Sequence, residues 1–169
     1  PMLHRTIEGW FLSRIIISDG GDIRKGVKAF FHQYNEMIET EEFDIVGHFD
    51  KIKMHNRNRY FSEDDKWYRD LLLETLTLIK EKSLIVEVNT RGIYKKRSDD
   101  FYPSTWVLPI MRKMDIPVVI SSDSHKAEEL TLCFKEAELA LTSAGYELKQ
   151  DFDFWHWASN LCSTNRTKI

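Results

Sequence analysis

Three short apolar runs rich in β-branched residues, "FDIVGH" (43–48), "SLIVEVNT" (83–90) and "IPVVIS" (116–121), alternate with stretches of helical periodicity. No other feature constrains the fold as much. Runs of this length and composition read as buried strands. Strands that alternate with helices predict parallel pairing under a helical cover, as a doubly wound sheet or a (β/α) barrel. The helical stretches carry their own signals. From Asp22 to about Thr40, the residues Ile23, Val27, Phe30, Phe31, Tyr34, Met37 and Ile38 form a one-sided stripe, with Asp22 placed to cap it. Ser62 and Asp65 resemble a capping box, and Trp67, Leu71, Thr75 and Leu78 continue a helical face to about Lys82. Pro103 precedes a shorter helical segment to Met114, and Pro117 opens the third strand. Residues 128–144 then predict a further helix ended by Gly145.

In either architecture the chemistry lies at the carboxyl ends of the strands. Those ends read Gly47-His48-Phe49-Asp50, Glu87-Val88-Asn89-Thr90-Arg91 and Ser122-Asp123-Ser124-His125. Three strands therefore deliver ligand-type side chains to one rim. Asp-x-His at a strand exit can aim a carboxylate and an imidazole the same way, because alternate residues of an extended segment share a face. Taken alone, such a pair is more often a helix cap beside a surface histidine, and Asp123 would then cap the helix that follows. His48 after a glycine would be a satisfied loop histidine. Their occurrence on successive strands favours metal binding. The loop "NTRGIYKKRSDDFYPS" adds guanidinium and ammonium groups suited to phosphate oxygens. Arg91, nearest the strand end, is the candidate phosphate ligand, whereas Lys95, Lys96 and Arg97 are expected to face water. Alternation puts Glu87 and Asn89 on one face of the second strand, supporting the ligands, and Val86 and Val88 on the other.

Composition excludes several alternatives. The chain has 169 residues, 42% hydrophobic, enough for one core and one domain. A net charge of -3 with mixed signs provides no field for nucleic acid. Cys133 and Cys162 show no metal-knuckle or disulfide spacing, which fits a reducing cytoplasm. No apolar run approaches the roughly 18 residues of a membrane span, and "PMLHRTIEGWF" lacks the pattern of a signal peptide.

The segments "FDIVGHFDKIKMHN", "LIVEVNTRGIYKKRSDDFYPS" and "IPVVISSDSHKAEEL", in this order, resemble the histidinol-phosphatase branch of the polymerase-and-histidinol-phosphatase superfamily. The resemblance spans about residues 21–146, leaves residues 1–20 poorly matched, and implies a partial, distorted (β/α) barrel. It further implies hydrolysis of a phosphate monoester such as L-histidinol phosphate, in histidine biosynthesis. The implied cofactors are divalent ions (Zn, Mn or Fe), up to three in the family and fewer here. By position, His48, Asp123 and His125 match metal ligands, Asp123 and His125 are the candidate catalytic pair, and Arg91 lies in the phosphate-contacting loop. One departure is plain: no His-x-His occurs among His4, His32, His48, His55, His125 and His156, although the family opens with one. His4 stands as a candidate remnant. The chain is therefore expected to be the carboxyl-terminal part of such a phosphatase, with reduced or lost hydrolysis. Two alternatives follow. One is a non-catalytic remnant serving as an interaction or assembly module, a homo-oligomer joined through an open sheet edge or the aromatic tail 150–169. The other is a protein-tyrosine phosphatase of the same superfamily.

Overall fold

The computed structural model describes residues 22–54 and 56–147. Helix α1 (Ile23–Thr40) opens on Asp22, whose Oδ1 accepts from the amides of Arg24 and Lys25 at 3.1 and 3.3 Å. Two of the amides that a helix start leaves without partners are thereby satisfied. Of the expected stripe Val27, Phe30, Phe31, Tyr34 and Ile38 are buried, while Ile23 is half-buried and Met37 is exposed at its margin. There follow β1 (Ile45–Val46), α2 (Lys66–Glu81), β2 (Ile85–Asn89), α3 (Arg91–Tyr94), α4 (Leu108–Lys113), β3 (Val118–Ser121) and α5 (Phe134–Ser143). Short 3-10 turns lie at Lys51–Lys53, Thr105–Val107 and Ala127–Glu129.

The strands make one parallel sheet in the order β1-β2-β3, with Val46 beside Val86, Val88 beside Ile120 and Asn89 beside Ser121. The α/β class expected from the alternation is therefore observed. Val86 and Val88 are fully buried, while Glu87 and Asn89 share the opposite face, where Asn89 Nδ2 donates to Glu87 Oε1 at 3.2 Å. Beyond the strands the core is aromatic. Phe31 of α1 meets Tyr68 of α2 edge-on at 5.9 Å between centroids, and Phe61 packs on Tyr68 at 5.0 Å. Each such ring, fully buried, contributes about 1.5–3 kcal/mol.

Four local expectations are corrected. In α2 the buried residues are Tyr68, Leu72, Thr75, Leu76 and Ile79; Thr75 is buried as expected, but Trp67, Leu71 and Leu78 are only half-buried, the face being turned by about one residue from them. Tyr68 is the ring that α1 and Phe61 enclose, whereas Trp67 lies at the margin under the Arg24 guanidinium, 5.0 Å from its centroid. The capping box closes early. Asp65 Oδ2 accepts the Ser62 amide at 3.1 Å, but the helix begins only at Lys66. The helix expected over 128–144 begins instead at Phe134, because a 3-10 turn and the left-handed Cys133 (φ 61°) interrupt it. Gly145 (φ 92°) ends it as expected. Finally, the basic loop after β2 is ordered by α3 and by an antiparallel bridge between Asn89 and Tyr102.

All residues of β3 are half-buried, and Leu130, Leu132 and Leu139 nearby are 58%, 41% and 69% exposed. Among the described residues no helix is long and apolar enough to cross a membrane. The tail residues Phe152, Phe154, Trp155 and Trp157 lie outside the described residues.

Candidate functional site

Parallel pairing brings the carboxyl ends of β1, β2 and β3 to one edge, and the chain leaves two of them through left-handed corners. His48 has φ 60° and Asp123 φ 47°, a conformation uncommon outside glycine and asparagine-like residues. Strain of this kind, about 1–3 kcal/mol per residue, persists where the surroundings over-determine it, and it concentrates at functional sites. The surroundings here are explicit. Tyr34 of α1 donates its hydroxyl to the Gly47 carbonyl at 2.6 Å, and its phenol is pushed well above the ordinary range by burial and by the charges of Glu87 and Asp50. It therefore stays a neutral donor. The Glu87 carboxylate accepts the His48 amide at 3.1 Å and lies so close to Gly47 that a Cβ there would stand 2.9 Å from Glu87 Oε2. A side chain at Gly47 would push this carboxylate off the His48 amide. On the third strand, the Asp123 amide donates to Ser121 Oγ at 3.1 Å, and Tyr94 donates to the Ser122 carbonyl at 2.8 Å.

These corners bring the side chains together. His48 Nε2 is 3.2 Å from Asp123 Oδ2, and His48 Nδ1 is 3.8 Å from Glu87 Oε2. Arg91, its side chain 13% exposed, has Nε 3.8 Å from Asp123 Oδ2 and donates from Nη1 to the Asp123 carbonyl. The same nitrogen is 2.6 Å from His125 Nδ1. A guanidinium only donates, so Nδ1 is an acceptor and the neutral imidazole carries its proton on Nε2. The approach of His125 Nδ1 to the Asp123 carbonyl, 3.0 Å, is thus one that Arg91 bridges. Burial acts to raise the Asp123 carboxyl, but the hydrogen bond from His48 and the charges of His48, Arg91 and Lys51 hold it below the usual range. Asp123 caps no helix. Its side chain faces the His48 ring instead.

The spacing of the donors bears on whether they fit an ion. Two ligands about 2.1 Å from one tetrahedral metal stand about 3.4 Å apart, and the His48–Asp123 separation of 3.2 Å matches two positions of one coordination shell. Among the described residues no group of three His, Cys, Asp or Glu gathers closely enough to hold an ion. His125 reaches the same rim, but ligation by either of its nitrogens conflicts with the Arg91 contact. An ion on Nδ1 takes the acceptor position, and an ion on Nε2 moves the proton to Nδ1.

Three placements differ from the sequence reading. Asp50, at the end of the first strand, turns inward and is fully buried, 2.8 Å from the Lys53 ammonium. Lys95 does not face water but pairs with Glu129, and Arg97 is half-buried, while Lys96 is exposed as expected. Lys51 is a site residue that the sequence reading missed. Its amide donates to the His48 carbonyl at 3.0 Å, and burial lowers its ammonium pKa, with Asp123 and Glu87 opposing and Arg97 and Arg91 reinforcing the shift. The available signal was its position, one helical turn after His48. Of the remaining histidines, His32 is exposed on α1, and His4, His55 and His156 lie outside the described residues.

A "Probable histidinol-phosphatase" of Clostridium acetobutylicum is 30% identical to the chain over 105 residues, which is 57% of this chain and 38% of that protein. The chain is similar to the histidinol-phosphatases. A crystal structure described as the putative histidinol phosphatase hisK from Listeria monocytogenes superposes with a TM-score of 0.60 at 20% identity, over 66% of this chain and 43% of that one. This second likeness concerns the fold. The chain thus spans about two fifths of the length of each of these proteins. No protein-family model matches it.

Proposed function

We propose that the chain forms the carboxyl-terminal portion of a metal-dependent phosphomonoesterase of the histidinol-phosphatase type, its sheet being one arc of a (β/α) barrel. Sequential strand order supports the arc, since consecutive strands of such a barrel are neighbours. The observation that carries the functional reading is the convergence of His48, Asp123, Arg91 and His125 on one rim, with His48 and Asp123 at ligand-like spacing. L-histidinol phosphate is the substrate suggested by the similarity.

In this reading His48 and Asp123 would hold a divalent ion, which would supply Lewis acidity toward a phosphoryl oxygen. Glu87, oriented by Asn89, fixes the His48 backbone and with it the direction of the imidazole. Arg91 turns its guanidinium from His125 to the non-bridging oxygens, for which two parallel N–H donors are suited. His125, released by that movement, would add a third donor.

The test is hydrolysis of p-nitrophenyl phosphate and L-histidinol phosphate with added Mn2+ or Zn2+, before and after His125→Ala. Activity that needs the ion and falls at least tenfold in the variant is expected. Activity unchanged by the substitution removes the proposed site. A second reading, an assembly module, draws on the half-buried β3 edge and the exposed Leu130, Leu132 and Leu139. A stable oligomer on size-exclusion chromatography, without bound metal or turnover, would favour it.

A further inference from the structure

The turn Lys51–Lys53 begins three residues after His48, and the amide of its first residue donates to the His48 carbonyl at 3.0 Å. Lys51 is half-buried and lies within electrostatic reach of Asp123, Glu87, Arg91 and Arg97. Its ammonium makes no hydrogen bond or ion pair among the described residues, and neither does the Arg97 guanidinium, which is also half-buried. The lysine next along the turn behaves differently. Lys53 is sunk into the interior and matched by Asp50 and Ser104. Lys95 is likewise matched, by Glu129. Lys51 is partly stripped of water, and the attraction of Asp123 and Glu87 is set against the repulsion of Arg97 and Arg91. An anion bonded to both Lys51 and Arg97 would replace lost hydration and relieve the repulsion between them. Lysine is suited to that role as a compact charge with rotatable donors, complementary to the planar fork of Arg91.

We propose that Lys51, supported by Arg97, is a second phosphate-binding residue, contacting the oxygens of a phosphate monoester dianion together with Arg91. The inference rests on the phosphatase reading above and adds to it a residue outside the candidate ion ligands. It assigns Lys51 to substrate binding, and its backbone contact to His48 ties the position of that charge to the ligand corner.

Isothermal titration of the full chain with inorganic phosphate in the presence of Mn2+ tests it, using wild type, Lys51→Met, Lys51→Arg and Arg91→Met. Loss of one charged hydrogen-bonding partner predicts about tenfold weaker phosphate binding for Lys51→Met, with Lys51→Arg keeping most of the affinity. In the wild type, phosphate should also slow acetylation of Lys51 by acetic anhydride, read by peptide mass spectrometry, more than it slows acetylation of the exposed Lys28. That measurement does not depend on how a variant folds. Phosphate affinity unchanged in Lys51→Met but lowered in Arg91→Met overturns the assignment of Lys51 and leaves the phosphatase reading intact. So does acetylation of Lys51 that phosphate does not slow. Absence of phosphate binding in the wild type overturns the phosphatase reading itself.

Discussion

Lys53→Met tests how the polar cluster beneath the site is balanced. The Lys53 side chain is 2% exposed and that of Asp50 0%, with Nζ 2.8 Å from Oδ2. Lys53 also donates to Ser104 Oγ and lies 5.5 Å from the centroid of Tyr102. Asp50 Oδ2 accepts the Ser104 amide at 2.9 Å, but Asp50 Oδ1 is buried without a hydrogen-bond partner among the described residues. Methionine retains the aliphatic volume, so the loss is electrostatic. Removing one member of a buried pair costs about 3–5 kcal/mol, because the other charge is left uncompensated. For a chain of this size that corresponds to a melting point lower by roughly 6–20 °C. Burial raises the Asp50 carboxyl despite Lys53, and without the lysine the rise is larger. A carboxyl raised in the folded state contributes stability at pH below its unfolded value, about 3.9, and loses that contribution as pH climbs through the folded value. The deficit of the variant should therefore be smaller at pH 5 than at pH 8. Urea unfolding at both values measures it, and the double substitution with Asp50→Asn should recover most of the loss, since an amide oxygen still accepts from Ser104. A single variant within 1 kcal/mol of wild type at both pH values would refute the idea that this pair holds the turn in place.

Gly92→Ala should also destabilise. A Cβ there would stand 2.8 Å from Tyr102 Cε2 and 3.1 Å from the Asp100 carbonyl, and the buried ring cannot retreat, so calorimetry should show a loss of about 1–3 kcal/mol. Arg91→Met should tighten Mn2+ or Zn2+ binding several-fold while weakening phosphate binding, because it frees His125 Nδ1 and removes a cation beside Asp123. Weaker ion binding in that variant, read by titration calorimetry, would contradict the geometry of the Arg91–His125 contact.

The strand runs were legible because strands of a parallel sheet are continuous in β-branched residues, and β2 and β3 fall where those runs lie. His48, Asp123 and Arg91 were found because strand ends in such folds converge by topology. Which way each side chain turns was not legible. Asp50 is two residues from His48, yet a 3-10 turn sends it inward, and nothing in "GHFDKIK" distinguishes Lys53, which neutralises it, from Lys51, which stays at the rim. The interruption before α5 was hidden for a related reason. "AEELTLCF" has helical composition, but Thr90 and Ser122 donate to the carbonyls of Leu132 and Leu130. Contacts distant in sequence thus draw off carbonyls that a continuous helix would need. Lys95 found Glu129 by the same route.

The left-handed corners at His48 and Asp123 restrict how these positions can be interrogated. An alanine scan would remove a functional group and twist the main chain in one step, merging two effects in a single reading. Asparagine tolerates the conformation better than most residues, so His48→Asn and Asp123→Asn alter the donor atoms while sparing the bend. The pair makes a cleaner probe of chemistry than deletion of either side chain.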